Sequence, residues 1–238
     1  NTLWFGTWGA GIFNFENRVF TNYSPTPPLP NDKVRSLYQD SRGILWIGTL
    51  TGLYAIKDGR PFATPLIEAL ANDNVTSILE DGDGALWFGT NQGLLRSKGE
   101  DLRRFHVRDG LAHGRIRAIF EDSQKNLWVG TSGGGVYIKQ DTNFYNVDVT
   151  RGLINDKIFI ILEDAHHNLW LCGNKGVNRA PIQELRRTAL GYQPKARVST
   201  YNAEDGMGSR ECNGSFQPAG LKDSTGRLWF PTMDGISL

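Results

Sequence analysis

The sequence predicts an all-β propeller, because one short phrase returns along the chain with a period close to forty residues. The phrase is Leu-Trp-x-Gly-Thr; four copies are good and two later copies are altered. The steps from one of its tryptophans to the next are 42, 41, 41, 42 and 59 residues. Six of the seven tryptophans occupy this slot, so we predict one equivalent structural position for Trp4, Trp46, Trp87, Trp128, Trp170 and Trp229.

Each repeat is expected to form one blade of four antiparallel strands. An apolar segment such as 75–81 forms the inner strand, and a tight turn follows that begins with Asp and ends with Gly or Asn. The Asp side chain can bond the amides of its own turn. The Leu-Trp phrase forms the second strand, and its glycine is expected to leave room for an indole between blades. A third strand and a short outer strand, as at 144–145, complete the blade.

The blades are expected to form a single propeller region over residues 1–238. The first and last repeats are partial, so we expect five to six blades here, within a propeller of seven or more. Exposed edges at the two partial blades predict self-association, with a homodimer as the simplest case. A short amphipathic helix near 181–189 explains the long last interval. The approximate repeats are 1–32, 33–73, 74–114, 115–156, 157–210 and 211–238.

Composition excludes several other classes. The net charge of +1 gives no support to nucleic-acid binding. No apolar run reaches the roughly 18 residues of a membrane span, so membrane contact is expected only through segments outside this chain. Cys172 and Cys212 are too few for a disulfide framework or a metal site, and Cys172 fits a small buried position. The four histidines do not converge, and we expect no cofactor and no catalytic residue.

The repeated phrase resembles the two-component-regulator propeller repeats of bacterial sensor proteins. Residues 205–214, 217–219 and 228–232 resemble the closing blade of such propellers, which places this chain in the C-terminal part of one. The resemblance implies a sensor domain on the periplasmic or extracytoplasmic side of an inner-membrane receptor. It also implies an output domain, a histidine kinase or a diguanylate cyclase, elsewhere in the protein. The alternatives are a propeller lyase or glycosidase, and a scaffold that docks proteins.

Ligand-binding residues are expected where the loops between blades meet around the propeller axis. The repeats differ from one another at these positions, and several of them carry cations that suit a carboxylate or sulfate group. Trp8 and Phe159 suit stacking on a sugar or another ring. The predicted ligand is therefore a small molecule or a carbohydrate; the alternative is a solvated rim without a ligand. The candidate residues are Trp8, Arg35, Asn91, Arg117, Phe159, Lys175, Arg210 and Asp234.

Overall fold

The six repeats form six antiparallel sheets, one for each blade of a propeller. The structure is a computed structural model, and it describes residues 2–214 and 216–238. The first and last sheets have three strands, and the four sheets between them have four. Strands follow chain order within every sheet, which confirms the predicted order of elements along each blade.

The strand and helix bounds are as follows. Blade 1 contains β1 (Leu3–Gly6), β2 (Ile12–Glu16) and β3 (Val19–Tyr23). Blade 2 contains β4 (Val34–Gln39), β5 (Leu45–Thr49), β6 (Gly52–Lys57) and β7 (Arg60–Pro61), followed by α1 (Pro65–Ala69). Blade 3 contains β8 (Val75–Glu80), β9 (Leu86–Thr90), β10 (Gly93–Lys98) and β11 (Asp101–Phe105). Blade 4 contains β12 (Ile116–Glu121), β13 (Leu127–Thr131), β14 (Val136–Gln140) and β15 (Asn143–Val147).

Blade 5 carries the predicted insertion. It contains β16 (Ile160–Glu163), β17 (Asn168–Gly173), β18 (Gly176–Pro181), α2 (Ile182–Ala189) and β19 (Ser199–Tyr201). Blade 6 contains β20 (Leu221–Lys222), β21 (Leu228–Thr232) and β22 (Gly235–Ser237). The apolar face of α2, with Leu185 fully buried, packs into the core that blades 4 and 5 share. The helix therefore joins two blades at the rim.

Three of the repeated tryptophans, Trp46, Trp87 and Trp128, pack against the next blade. Trp46 lies among core residues of blade 3, with its ring 5.7 Å from that of Phe88. Trp87 and Trp128 pack in the same way against blades 4 and 5. All three side chains are at most 2% exposed. Their equivalence confirms the interpretation of the repeat.

An aspartate in the preceding turn fixes each of these indoles. Oδ2 of Asp122 accepts a hydrogen bond from Nε1 of Trp128 at 2.7 Å, while Oδ1 accepts from turn amides. The same pair of bonds recurs at Asp40–Trp46, Asp81–Trp87, Asp164–Trp170 and Asp223–Trp229. One carboxylate thus closes the turn and orients the indole that packs on the next blade.

The glycine of the phrase has a different role from the one predicted. A Cβ on Gly48 would lie 2.6 Å from the carbonyl oxygen of Val75, in the inner strand of the next blade. A Cβ on Gly130 would lie 2.7 Å from the carbonyl oxygen of Ile158. The prediction that this glycine makes room for an indole is therefore wrong. It lets the backbone of the neighbouring inner strand approach closely.

The outer faces of the first and last blades expose apolar side chains. Leu3 and Phe20 are 58% and 61% exposed on blade 1, although Leu45, the counterpart of Leu3 in blade 2, is buried. Leu221 and Ile236 are 58% and 70% exposed on blade 6. Large exposed apolar faces favour association. Homodimer formation, and the blade number of the whole protein, stay predictions.

Replacing Trp128 by Ala should lower the free energy of unfolding by about 3–5 kcal/mol, since a large buried aromatic leaves a cavity behind. Trp8→Ala is the matched control, because Trp8 is half exposed and lies outside the repeated slot. Its cost should be within about 1 kcal/mol. Urea denaturation compares the two variants, and equal losses would contradict the account of the repeated slot.

Stability should also depend on Asp164 in acid. Burial by itself would raise the pKa of Asp164, but hydrogen bonds from Asn168, Trp170 and His166 outweigh burial and lower the pKa from 3.8 to about 2. Because the folded pKa lies below the unfolded one, ionisation of Asp164 stabilises the fold at neutral pH, and this contribution disappears as pH falls from about 4 to 2. Asp164→Asn should therefore be less stable than the wild type at pH 6, and the difference should shrink towards pH 2.

The control for this measurement is Asp83→Asn, because the Asp83 side chain is exposed and makes no hydrogen bond within the described residues. Its stability should follow that of the wild type at every pH. Chemical denaturation at pH 6, 4, 3 and 2 tests the prediction. A difference between wild type and Asp164→Asn that did not change with pH would contradict the role of the carboxylate.

Candidate functional site

The inner strands of blades 2, 3 and 4 carry a β-bulge at one equivalent position. The pairing register shifts between Val34 and Ser36, between Val75 and Ser77, and between Ile116 and Ala118. A bulge turns the side chain of the extra residue away from the regular alternation. The bulged residues are Arg35, Thr76 and Arg117. The side chains of two predicted cations, Arg35 and Arg117, therefore project from their inner strands at equivalent positions of two blades.

Arg35 lies against two aromatic rings. Its guanidinium carbon is 4.5 Å from the centre of the Trp8 ring and 5.5 Å from that of Phe216. The two rings meet edge to face at 5.7 Å, and Lys33 lies 5.3 Å from the Trp8 ring. Trp8 and Phe216 are 51% and 42% exposed. This cluster therefore presents aromatic surface and positive charge to solvent.

Arg117 lies close enough to Arg35 for their charges to interact. Burial, and then the charge of Arg117, lower the pKa of Arg35. Burial, and then the charge of Arg115, lower the pKa of Arg117. Nε of Arg117 donates a hydrogen bond to Oγ of Ser132. Three arginines thus gather at one end of the propeller, where an anion would relieve their repulsion.

Phe159 lies among the inner strands of blades 3, 4 and 5. It lines a cavity of about 200 Å³ together with Arg117 and residues of β8, β12 and β16. Residues 216–220, from the segment after blade 5, line the same cavity. We call this segment, residues 212–214 and 216–220, the central strap.

Gln217 holds the central strap between blades 2 and 3. Its backbone N–H donates to the carbonyl oxygen of Arg35 at 2.8 Å, and its own carbonyl accepts from the amide of Leu37. Its side-chain amide bonds both the N–H and the C=O of Ile78, each at 2.6 Å. Gln217 therefore pairs with two inner strands at once and fixes the neighbouring Phe216 beside Trp8. The repeat pattern did not identify either residue.

A disulfide joins the strap to blade 5. Cys212 bonds to Cys172 of β17, and their Cα atoms are 6.1 Å apart, within the normal range. Both side chains are buried, which confirms the buried position predicted for Cys172. The sequence analysis did not predict this pairing, and the single link fixes the start of the strap. The residues near Cys212 do not follow the repeat, and that irregularity was the available signal.

Other predicted residues lie in two different settings. Asn91 accepts a hydrogen bond from the backbone N–H of Asn74 at 3.2 Å and lies in a small cleft with Arg117. Lys175, Arg210 and Asp234 are exposed, and within the described residues their side chains make no hydrogen bond or ion pair. Among the described residues, none of these three lines a cavity together with Arg117. Their role in binding stays a prediction.

A serine, a histidine and a glutamate meet at the opposite end of the blades. Nδ1 of His167 lies 2.9 Å from Glu163 and 3.0 Å from Oγ of Ser123. Both partners approach the same ring nitrogen, so the ring cannot pass a proton from one to the other as a catalytic triad requires. Ser41 and Glu80 make the same contact without a histidine. The arrangement is an inter-blade link in which glutamate caps the turn of the preceding blade.

A second cavity of about 550 Å³ lies between blades 5 and 6. Its walls include Trp170, Tyr201, Met207 and Phe230. None of the predicted ligand residues lines it. In the part of the chain that the structure describes, no group of three or more His, Cys, Asp or Glu side chains could hold a metal ion.

The repeats match a family model described as the two-component regulator propeller. The matched residues are 28–51, 69–92 and 110–133, and each match contains one Leu-Trp-x-Gly-Thr phrase. The chain contains two-component regulator propeller repeats. No curated protein sequence matches it significantly. Among the described residues, no helix has the length and the apolar character needed to cross a membrane.

Solved propellers share the fold. The extracellular domain assigned to a hybrid two-component system of B. thetaiotaomicron is 22% identical, with a TM-score of 0.58, and the match covers 99% of this chain and 37% of that one. PorZ of Porphyromonas gingivalis is 17% identical, with a TM-score of 0.66, over 99% of this chain and 36% of PorZ. Virginiamycin B lyase of Staphylococcus aureus is 16% identical, with a TM-score of 0.63, over 96% of this chain and 72% of the lyase. The chain thus spans little more than a third of the first two structures.

Replacing Gln217 by Ala should destabilise the propeller by about 1–3 kcal/mol, since the N–H and C=O groups of Ile78 lose their partner. Gln124→Ala is the control, because within the described part of the chain the Gln124 side chain bonds only the exposed Gln183. That variant should change stability by less than about 0.5 kcal/mol. Thermal and urea unfolding test both. A Gln217→Ala protein as stable as the wild type would show that the strap does not hold the inner strands.

Proposed function

We propose that this chain is part of the ligand-sensing region of a two-component signalling receptor. It binds an anionic small molecule or carbohydrate at the arginine cluster and does no chemistry on it. The observation that carries the proposal is the gathering of Arg35 and Arg117, from equivalent bulges, beside the exposed rings of Trp8 and Phe216. A purely structural opening has no reason to bear the repulsion of these charges.

The comparisons support the sensor class. The repeats match the two-component regulator propeller model, and the similar B. thetaiotaomicron structure is an extracellular domain of such a system. The disulfide between Cys172 and Cys212 favours an oxidising compartment, since cytosolic thiols are kept reduced. We therefore place the chain on the periplasmic or extracytoplasmic side of the membrane. The kinase or cyclase output belongs to the proposal for the whole receptor.

An enzyme is the competing class, because the S. aureus lyase shares the fold and its histidine-to-alanine variant is catalytically inactive. In this chain, His113 packs beside Gly134 and Tyr137 in blade 4, and His167 makes the inter-blade link at the opposite end. Neither is among the residues that surround Arg35. The arrangement favours binding without turnover, and the same experiment tests the alternative.

Thermal unfolding with a panel of acidic sugars, neutral sugars and dicarboxylates should find a compound that stabilises the wild type. A ligand at 100 times its dissociation constant adds about 2.7 kcal/mol. The double variant Arg35→Ala/Arg117→Ala should lose this stabilisation and its dependence on salt. Arg60→Ala/Arg108→Ala removes the same charge from exposed positions outside the cluster and should keep both.

Equal stabilisation of the two double variants would contradict the assigned site. Each stabilising compound is also incubated with the wild type and followed by NMR. Conversion of the compound into a product would show that the protein is an enzyme. Failure of every compound, with capture of a protein partner instead, would favour a docking scaffold.

A further inference from the structure

A polar pocket opens between blades 3 and 4, next to the arginine cluster. It encloses about 220 Å³ and is lined by Asn74, Thr76, Asn91, Arg115, Ile116 and Arg117. A space of this size has room for several water molecules or for one small polar group of a ligand. The wall is almost entirely polar, unlike the apolar contacts that join these blades elsewhere.

The cations of this pocket are available to a ligand. Within the described residues, the Arg117 side chain bonds through Nε alone, to Ser132, so both of its NH₂ groups can donate to a ligand. Within the described residues, the Arg115 side chain makes no hydrogen bond and no ion pair. Among the described residues, no carboxylate lines the pocket. Two guanidinium groups on one small cavity suit an oxyanion, which they can bind with paired hydrogen bonds.

The side-chain amides of Asn74 and Asn91 indicate that the ligand carries a hydrogen-bond donor as well as an oxyanion. Oδ1 of Asn74 is buried and has no hydrogen-bond partner among the described residues. A buried polar atom without a partner is costly and points to a missing group. Oδ1 of Asn91 already accepts from the backbone of Asn74, so its NH₂ group remains free to donate. Asn74 therefore needs a donor, which a bare oxyanion cannot supply and a hydroxyl can.

We infer that this pocket is a subsite for a hydroxylated acid, in which Arg115 and Arg117 bind the oxyanion and Asn74 accepts a hydrogen bond from a neighbouring hydroxyl. A uronic acid has this chemistry, and so does a sulfated sugar. The inference rests on the proposed function and names the ligand class of the same end of the propeller. The Trp8 and Phe216 rings would then contact a further part of a longer ligand.

Calorimetric titration with four probes separates the parts of the inference. The probes are D-glucuronate, D-glucose 6-sulfate, D-glucose and cyclohexanecarboxylate, which lacks hydroxyl groups. The wild type should bind one or both sugar acids and should bind D-glucose and cyclohexanecarboxylate at least tenfold more weakly. Preference between the first two probes identifies the oxyanion as carboxylate or sulfate.

Substitutions in the pocket should each weaken the binding of a different part of the probe. Arg117→Gln should weaken binding of the preferred acid about tenfold or more, as expected for one lost charge-assisted hydrogen bond. Asn74→Ala should weaken the preferred acid and leave the affinity for cyclohexanecarboxylate unchanged. Arg60→Gln, an equal loss of charge on β7, should change neither. Folding of each variant is checked by its thermal unfolding.

Three results would overturn the inference. If the Arg117→Gln and Asn74→Ala variants bound the acids as tightly as the wild type, the pocket would not be the subsite. Binding of glucose as tight as that of the acids would show that no oxyanion is recognised. A neutral oligosaccharide that stabilised the wild type through Trp8, with no effect of Arg117→Gln, would overturn this inference and leave the proposed function intact.

Discussion

The bond between a turn aspartate and the indole of the following strand is the constraint on which this propeller depends. One carboxylate closes the turn and also fixes the side chain that packs against the next blade. Local turn formation and inter-blade packing are therefore coupled within six residues of sequence. The Asp–Trp bond recurs at five positions, and at Trp46, Trp87 and Trp128 the oriented indole packs on the next blade in the same way. Because these contacts lie in the turns and strands, the loops between blades can differ in sequence while the packing of the blades is kept.

The candidate site uses that freedom at the opposite end of the inner strands. There the bulge repeats in blades 2, 3 and 4 while its residue changes from Arg35 to Thr76 to Arg117. Thr76 bonds the carbonyl oxygen of Ile116 and links two blades, whereas the arginines remain at the surface of the opening. The bulge that these three inner strands share thus directs different side chains to the same end of the propeller. The proposed binding site therefore lies at positions where the repeats differ.

The sequence was sufficient for the features that repeat. The period located the equivalent tryptophans, the Asp-headed turns and the amphipathic helix α2, since each depends on local pattern. It could not identify Gln217, whose partners Arg35 and Ile78 lie more than a hundred residues away in the chain. The helix α1 was missed because five residues carry too little periodicity. The role of the repeated glycine was misjudged, because its neighbour belongs to the next blade.

The most direct test of the central bond is the exchange of the indole N–H protons, followed by NMR on protein labelled with ¹⁵N-tryptophan. The account predicts slow exchange for the five indoles bonded to aspartate, at Trp46, Trp87, Trp128, Trp170 and Trp229. Trp8, half exposed and bonded to no carboxylate among the described residues, should exchange fast. Rapid exchange at Trp46, Trp87 and Trp128 under native conditions would contradict the account.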